Sequence, residues 1–435
     1  MKCYLIIIAM KTKVNVVGRY FSHFGAISMI LAISFISSIA YASGEAESSE
    51  TTHISGVVAD SKSNDPLAFS TITLAGTHIA TVCNSDGEFT LKIPNVHLDK
   101  EVVISFIGYQ TKSIPVSELL KGSNQILLDM TTVPLVEVNV FPSDPDLLIR
   151  AVMNRRDVNY NDFPTSKTAF YRETIRKGRS YVSLNEAVVD IYKYPYNSSR
   201  YDQAKLIIGR KSTDYDRLDT LVFKLQGGPV SALMLDIMKD PYTLFDEEMI
   251  NNYSFEMANI TRVDDRMLYV LAFKPKPETD IPLFFGKLYI DSESLAVTSA
   301  SFNMDISDRE EAARMFIRRK PAGARVYPTE TAYVVNYREQ NGKWFLGYTR
   351  AYVAFRVNWK RKVFNTNYYT TMEMAITDWN PAEERPYKPG DRLRENVIME
   401  DAVEGFYDEG FWGDYNVIEP EQPIENAIRR IQKAR

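Results

Sequence analysis

Short alternating apolar stretches separated by turn residues fill residues 53–140. The clearest alternation places an apolar residue at every second position, in Phe89, Leu91 and Ile93 and again in Val136, Val138 and Val140. Because side chains in a strand point alternately to its two faces, this period predicts strands with one buried face. The Asp86-Gly87 dipeptide tolerates positive φ and predicts a β-hairpin turn. About seven or eight such strands in one segment are typical of a β-sandwich.

Longer β patterns follow after residue 160. Two hairpins are predicted from their turns, one at Lys177-Gly178-Arg179 and one at Asn341-Gly342. Apolar residues at helical spacing predict three helices, over 229–239, 307–319 and 423–434. The second part is therefore predicted to be α+β, with a large, curved antiparallel sheet or half-barrel and a few covering helices. The chain as a whole is predicted to be mainly β.

A boundary between the two parts is predicted at residues 141–160. The run "FPSDP" contains two prolines, and Ser143 or Asp144 is placed to cap a helix that has Pro145 in its first turn. We expect a linker and helix over 141–160, followed by a large antiparallel β domain with helices and a C-terminal tail over 161–435.

The first 42 residues are predicted to be a signal peptide. Three basic residues precede an apolar run at 25–40: Lys11, Lys13 and Arg19. Ala40-Tyr41-Ala42 then gives the small-x-small pattern that signal peptidases cleave. The apolar run is shorter than the roughly 20 residues of a membrane-spanning helix, and an uncleaved anchor is the alternative. Residues 43–52 are polar and are predicted to form a flexible leader.

The two cysteines and the predicted cleavage point bear on anchoring. Cys3 lies in the segment expected to be removed, so Cys83 has no partner for an internal disulfide. Cys83 is therefore predicted to be a small, buried apolar side chain. Ser43, and not a cysteine, follows the predicted cleavage point, which argues against a lipoprotein anchor. We expect an exported protein, whether translation begins at Met1 or at Met10.

Net charge and histidine positions exclude several function classes. The formal net charge of -5 gives no bulk attraction to nucleic acid. The four histidines are His23, His53, His78 and His97. The large domain therefore has no imidazole for a Ser-His-Asp or Cys-His arrangement or for an H-E-x-x-H zinc site. We predict no catalytic, metal-binding or cofactor-binding residues, and no cofactor.

The motifs of the first domain carry a family resemblance. G-x-V, D-x-x-x-x-x-P-L, a D-G-x-F turn and I-G-Y occur in this order, in "ISGVVADSKSNDPLAFSTITLAGTHIATVCNSDGEFTLKIP" and "VVISFIGYQTKSIPV". With the closing "LVEVNV", residues 53–140 strongly resemble the carboxypeptidase regulatory-like domain, which is common at the front of envelope proteins of gram-negative bacteria. The resemblance implies a transthyretin-like sandwich in the periplasm or on the periplasmic or outer face of the outer membrane. It implies no peptidase, because the domain is accessory in the enzymes that gave it its name.

The rest of the chain resembles an envelope family of unknown activity, on the segments "AFYRE", "EAVVDIYK" and "FWGDYNVIEP". The segment "FFGKLYIDSESLAVTSASFNM" is also similar, by strand pattern alone, to the open half-barrel of periplasmic lipoprotein carriers. Those carriers cradle acyl chains. The pattern therefore implies a hydrophobic ligand for the large domain.

Two basic clusters and one aromatic segment are candidate contact sites. The basic residues predicted to contact an anion or a lipid are Arg318, Arg319, Lys320, Lys360, Arg361 and Lys362. The alternative for these charges is a solvated face, and Arg314 and Arg318 near a helix C-terminus would also favour the helix dipole. Phe411, Trp412 and Tyr415 are predicted either to contact a partner or to pin the tail onto the sheet.

The leading hypothesis is a non-enzymatic exported envelope protein. Its large β domain would bind a partner protein or a hydrophobic, lipidic ligand, and the sandwich would be a docking or spacer module. The alternative is a carboxylate-dependent envelope hydrolase, whose candidate acids are Glu173 or Glu186 in the hairpin and the loop residues Asp246, Glu247, Glu248, Asp264 and Asp265. A second alternative is an outer-membrane transport-associated component, although too few residues follow the sandwich for a barrel of about 22 strands. Peripheral membrane contact is compatible with the leading hypothesis.

Overall fold

The computed structural model shows a mainly β chain with few helices. It describes residues 7–12, 51–122, 124–131, 144–213, 221–239, 244–245, 248–263, 266–277, 283–319, 323–360, 365–382, 386–404, 410–421 and 424. The strand predicted around Val136, Val138 and Val140 lies outside these residues, as does the helix predicted over 423–434 apart from Ile424.

The first domain is a sandwich of two small sheets. Its strands are β2 (Thr51–Asp60), β3 (Thr71–Leu74), β4 (Ala80–Val82), β5 (Glu88–Pro94), β6 (Glu101–Ser105), β7 (Lys112–Pro115) and β8 (Asn124–Leu128). One sheet has the order β5-β2-β8 and the other β4-β3-β6-β7. A short 3-10 helix (Asn95–His97) and α1 (Val116–Leu119) complete the domain. Phe89, Leu91 and Ile93 fill the core between the sheets, as their alternation predicts.

The Asp86-Gly87 turn does not close a hairpin, so that prediction is wrong. β4 pairs with β3, and β5 pairs with β2, so the turn carries the chain from one sheet to the other. Gly87 has a φ of +77°, and a Cβ there would lie 2.5 Å from the Val58 carbonyl oxygen. Glycine therefore suits this position, because it adopts a positive φ without strain and has no Cβ to clash with the Val58 carbonyl. The reversal of direction was predicted correctly, but the pairing partners were not.

The linker helix is confirmed where the structure describes it. α2 spans Pro145–Asn154, and α3 follows over Arg156–Asn159. The Asp144 side chain accepts hydrogen bonds from the backbone N–H groups of Asp146 and Leu147, which is the N-cap geometry that its sequence predicts.

A ten-stranded antiparallel sheet forms the second domain. Its strands are β9 (Thr165–Lys177), β10 (Ser180–Lys193), β11 (Gln203–Thr213), β13 (Tyr253–Val263), β14 (Arg266–Pro275), β15 (Phe284–Asp291), β16 (Val297–Met304), β18 (Ala324–Gln340), β19 (Lys343–Trp359) and β20 (Thr366–Pro381). Their order is β11-β10-β9-β20-β19-β18-β16-β15-β14-β13, so the sheet is open and not closed into a barrel. Both predicted hairpins are present, β9–β10 and β18–β19. Asn341 and Gly342 have φ values of +53° and +75°, as a type I′ turn requires.

A separate small sheet has the order β12-β1-β17, with β1 at Ile7–Thr12, β12 at Leu221–Gln226 and β17 at Ile317–Arg319. β1 lies within the segment predicted to be a signal peptide, and its removal stays a prediction. None of the helices in the described residues is long and apolar enough to cross a membrane.

Two predicted helices are shorter than expected. The helix over 229–239 is α4 (Gly228–Leu233), and tighter turns then carry the chain to residue 239. In these turns the N–H of Asp236 bonds to the Leu233 carbonyl, which brings the Asp236 carboxylate into the buried interior. The helix over 307–319 is α5 (Arg309–Phe316), and residues 317–319 are strand β17. Two further short elements are a 3-10 helix at Met249–Asn252 and α6 at Met399–Ala402.

The two faces of the large sheet are covered differently. Ala169 and Tyr171 of β9 belong to the main hydrophobic core with residues of α2, α4 and α5, and we call this side the helix face. Phe170 of the same strand packs with Trp412 and Ile418 and with Val82 of the sandwich. We call this second side, which is covered by residues 410–421 and the sandwich, the tail face.

Candidate functional site

A cavity of about 600 Å³ lies beside the start of the edge strand β11. Three stretches surround it: the connection from β10 to β11, α4 with the turns that follow it, and the segment after β20. Its lining residues are Ser198, Ser199, Arg200, Tyr201, Asp202, Gln203, Val230, Leu233, Met234, Lys239, Arg392, Leu393, Arg394, Glu395 and Asn396.

Backbone hydrogen bonds hold the segment after β20 against the other walls. The N–H of Leu393 donates to the Ala204 carbonyl at 2.7 Å, and the N–H of Gly227 donates to the Val397 carbonyl at 2.8 Å. The apolar part of the wall comes from α4 and its neighbours: Val230, Leu233, Met234 and Leu393. The cavity thus has an apolar floor fixed to the main core of the sheet.

The charged part of the lining is mainly cationic. Arg200, Arg392 and Arg394 are exposed, and none of the described carboxylates forms an ion pair with them. The Lys239 ammonium is half-buried and donates to the carbonyls of Pro195 (2.6 Å) and Ser198 (2.7 Å). Burial lowers the pKa of Lys239 to about 8. Together these four side chains form what we call the cationic group of the cavity.

The carboxylates of the lining offset only part of this charge. They are Asp202 and Glu395. Asp202 already accepts from the Lys193 ammonium at 2.7 Å, and the side chains of both residues are almost fully buried. An anion in the cavity therefore has more positive than negative charge around it, and this positive charge lies next to an apolar floor.

A buried network around Lys193 supports the wall that carries Asp202, and we call it the lysine network. The Lys193 ammonium also lies 2.8 Å from Asp236, which accepts from the Tyr196 and Tyr337 hydroxyls, each at 2.8 Å. Burial opposes the charge on Lys193, but the two aspartates outweigh it and raise its pKa. Because every buried charge here has a partner, the wall is rigid on the side of the sheet.

A ladder of alternating charges crosses the tail face on five adjacent strands. It runs from β11 to β19 through Arg210, Glu186, Arg172, Glu373 and Arg350. Glu186 accepts from Arg210 at 2.7 Å and from Arg172 at 2.8 Å, and Glu373 lies 3.3 Å from both Arg172 and Arg350. We call these five residues the charge ladder.

The C-terminal tail covers the charge ladder. Arg172 donates to the carbonyl oxygens of Ile418 (2.6 Å) and Glu419 (3.2 Å). The ladder has three arginines and two glutamates, and these carbonyls supply further acceptors for its guanidinium groups. The guanidinium of Arg210 lies 4.7 Å from the ring centroid of Trp412. The tail therefore completes the hydrogen bonding of a buried ionic array.

The same tail also bonds to the sandwich. The Asn416 amide exchanges two hydrogen bonds with the backbone of Lys92, at 2.7 and 3.1 Å, and Thr81 donates to the Val417 carbonyl at 3.2 Å. Trp412 is buried in this arrangement, whereas Tyr415 is 36% exposed. Phe411 packs edge-on against Trp412, with 4.8 Å between the ring centroids.

Glu173 and Glu186 lie on opposite faces of the sheet. Glu186 is opposite Arg172 in the β9–β10 register and points to the tail face, while Glu173 is opposite Asn185 and points to the helix face. Glu173 accepts from the Tyr171 hydroxyl (2.7 Å) and the Asn185 amide (2.9 Å). The two carboxylates therefore do not flank a common site, and neither lines the cavity.

The protonation of Glu173 is expected to make stability depend on pH. Burial raises its pKa from 4.5 to about 7 despite the two hydrogen bonds. Between these values the folded state binds a proton that the unfolded state has released, so stability falls as pH rises from 4.5 to about 7. Glu173→Gln removes this loss and should raise the free energy of unfolding at pH 8 by about 3 kcal/mol.

Urea unfolding at a series of pH values measures the effect. The exposed Glu256→Gln on β13 is the matched control and should leave the slope against pH unchanged. An equal slope in the wild type and Glu173→Gln would show that Glu173 is ionised in the folded protein throughout this range.

None of the described residues of the basic clusters predicted from the sequence lines the cavity. Arg318 and Arg319 are in β17, where side chains are not described, and Lys320, Arg361 and Lys362 lie outside the described residues. Lys360 is exposed just after β19, and Arg314 pairs with Glu311 on α5. The cavity residues were missed because three distant stretches supply them. The only local signal is a pair of arginines two residues apart, at 392 and 394.

The chain is mainly β, with two small sheets in its N-terminal part, a large open antiparallel sheet after them, and a cavity with an apolar floor and a mainly cationic lining beside β11. Its first domain is a CarboxypepD_reg-like domain, because residues 54–140 match that family model. No curated protein matches the chain.

Several solved structures are similar to part of the chain at low identity. One is a DUF1329 family protein from Desulfovibrio piger, with 10% identity, a TM-score of 0.23, and coverage of 56% of this chain and 96% of that one. A second, from Vibrio parahaemolyticus, is a domain described as an outer membrane lipoprotein-sorting protein, with 9% identity, a TM-score of 0.26, and coverage of 56% and 95%. A third is lipovitellin, with 7% identity, a TM-score of 0.21, and coverage of 57% and 28%. These likenesses are too weak to carry an argument about function.

Proposed function

We propose that the protein is a non-enzymatic, exported envelope protein that binds an amphiphilic anionic ligand in the cavity beside β11. The sandwich serves as a docking or spacer module at the front of the chain. The ligand's apolar part lies on the floor formed by α4, and its acidic group meets the cationic group of Arg200, Lys239, Arg392 and Arg394.

The cavity itself is the observation that carries this proposal. Its volume of about 600 Å³ lies within the roughly 300–1,000 Å³ range of small-molecule sites. Such sites combine an apolar lining with a few polar groups that orient the ligand, and this cavity has both. The polar groups include three exposed arginines that form no ion pair with the described carboxylates.

Export is supported by the sequence. The basic residues, the apolar run at 25–40 and Ala40-Tyr41-Ala42 have the order of a signal peptide. Residues 54–140 match the CarboxypepD_reg-like domain. This agrees with an envelope location, because such domains are common at the front of envelope proteins of gram-negative bacteria.

Neither alternative gains a specific observation. The hydrolase would need a pair of carboxylates about a common site, and Glu173 and Glu186 are separated by the sheet. A transport-associated component would also be compatible with ligand binding.

Filling the cavity is expected to abolish ligand binding. Met234 lies on the half-buried part of the floor, so Met234→Trp should occupy space that an acyl chain needs and weaken binding at least tenfold. Native mass spectrometry of the full chain, purified without detergent and incubated with an envelope lipid extract, measures the bound mass. A fluorescent fatty acid gives the affinity.

Met234→Leu is the control, because it conserves volume and chemistry, and it should bind like the wild type. A wild-type protein that retains no lipid and binds no fatty acid would refute the proposed function. Equal affinities for the wild type and Met234→Trp would place the ligand elsewhere.

A further inference from the structure

The mouth of the cavity carries an exposed aromatic residue among its arginines. Tyr201 is 67% exposed and follows directly after Arg200, in the connection that leads into β11. Farther along this edge strand, Ile207 is 42% exposed at a β-bulge, where it has no partner in the β10 register. We call Arg200, Tyr201, Arg392 and Arg394 the cavity mouth.

The charge of the mouth is opposite to that of the chain. The protein has a formal net charge of -5, yet three arginines meet at this one opening. Two carboxylates line the cavity. Glu395 is exposed, whereas the Asp202 side chain is buried and pairs with Lys193. A local cationic surface on an acidic protein attracts anionic surfaces in a defined orientation.

The arginines come from two separate stretches of the chain that meet at the cavity. The Leu393–Ala204 backbone bond places the segment of Arg392 and Arg394 beside the start of β11, across from Arg200. A free anion such as phosphate would use the arginines but would have no use for the apolar floor or for Tyr201. Tyrosine prefers the interface between lipid headgroups and acyl chains, where its ring is apolar and its hydroxyl is wet.

We propose that the cavity mouth docks on the surface of an anionic lipid bilayer, so that the amphiphilic ligand passes directly between membrane and cavity. This inference rests on the proposed function for the identity of the cargo. Docking itself requires only the mouth: the three arginines meet lipid phosphates, and Tyr201 inserts at the headgroup level. The attraction acts within about one Debye length, roughly 8–10 Å at physiological salt, and it weakens as salt rises.

Vesicle co-sedimentation of the full chain tests the docking. The probes are vesicles of equal parts phosphatidylcholine and phosphatidylglycerol, against vesicles of phosphatidylcholine alone. We expect binding to the anionic vesicles only, with loss at high salt. Arg200→Gln, Arg392→Gln and Arg394→Gln combined should weaken it about 100-fold, since each basic residue near an anionic surface contributes about fivefold. Tyr201→Ala should weaken it less and should not change the salt dependence.

A control variant on a different surface makes the test specific. Arg325→Gln with Lys360→Gln removes two exposed positive charges at the β18–β19 end, where one of the sequence-predicted basic clusters begins. This variant should bind vesicles like the wild type. If it loses binding while the triple variant keeps it, the membrane-facing surface is elsewhere and the inference is overturned.

The affinity for a soluble fluorescent fatty acid, measured without vesicles, separates this inference from the proposed function. Fatty-acid binding without vesicle binding overturns the docking and leaves the proposed function intact. Vesicle binding without fatty-acid binding supports the docking and refutes the cargo. The wild type could instead bind a protein from an envelope extract through the cavity mouth and bind no vesicles. That result would assign the surface to a protein partner and overturn the inference.

Discussion

Replacing Glu186 with glutamine is expected to lower the free energy of unfolding by about 3–5 kcal/mol. Glu186 is fully buried, and it is the shared partner of Arg172 and Arg210 in the charge ladder. Burial opposes its ionisation, but the two arginines outweigh this and hold its pKa below the ordinary value. Glutamine keeps the shape, but it removes the negative charge that the two guanidinium groups share, and its amide N–H₂ faces one of the guanidinium N–H donors.

Urea unfolding followed by tryptophan fluorescence measures this loss. The matched control is Glu311→Gln on α5, which removes an exposed partner of Arg314 and should cost less than about 1 kcal/mol. A loss below 1 kcal/mol for Glu186→Gln as well would mean that the ladder is hydrated in solution and that the two arginines have water as an alternative acceptor.

Replacing Trp412 with alanine is expected to lower the free energy of unfolding by about 3–5 kcal/mol. Trp412 is buried against Phe170, with 5.4 Å between the ring centroids, and it also contacts the guanidinium of Arg210. Its removal leaves a cavity on the tail face and loosens the segment that supplies carbonyl acceptors to Arg172.

Limited proteolysis combined with urea unfolding distinguishes loosening of the tail from global unfolding. Trp412→Ala should make residues 410–421 the first site of cleavage. Tyr415→Ala is the control on the same segment, and its exposed ring predicts a change within about 0.5 kcal/mol. Equal effects at the two positions would show that Trp412 does not anchor the tail.

The sequence predicted the fold where local chemistry decides the structure. Asn341-Gly342 predicts its hairpin because only a few residue types adopt two successive positive φ values. Asp144 predicts its helix start because its short carboxylate reaches the backbone N–H groups of the first turn. Asp86-Gly87 predicts a reversal of direction correctly, but the same turn serves a hairpin and a crossing between sheets equally well.

The charge ladder and the cavity depend on long-range pairing, and no local pattern encodes it. "FYRE" places Arg172 next to an acidic residue in the sequence, but its partner Glu186 is set by the register of β9 with β10. Glu373 lies 201 residues away from Arg172 and becomes its neighbour only through the register of β9 with β20. The cavity residues Arg200, Met234 and Arg394 belong to three stretches whose proximity follows from the same topology.

The position of β9 between β10 and β20 has a consequence for how the protein acquires its structure. The β9–β10 hairpin forms from neighbouring residues, but the other edge of β9 stays unpaired until residues 366–381 have been synthesised. Closing so long a loop is slow, because its entropy is lost before the contacts are gained. An exported chain would therefore complete this sheet after translocation, and the edge of β9 is the segment that a holding chaperone would need to cover in the meantime.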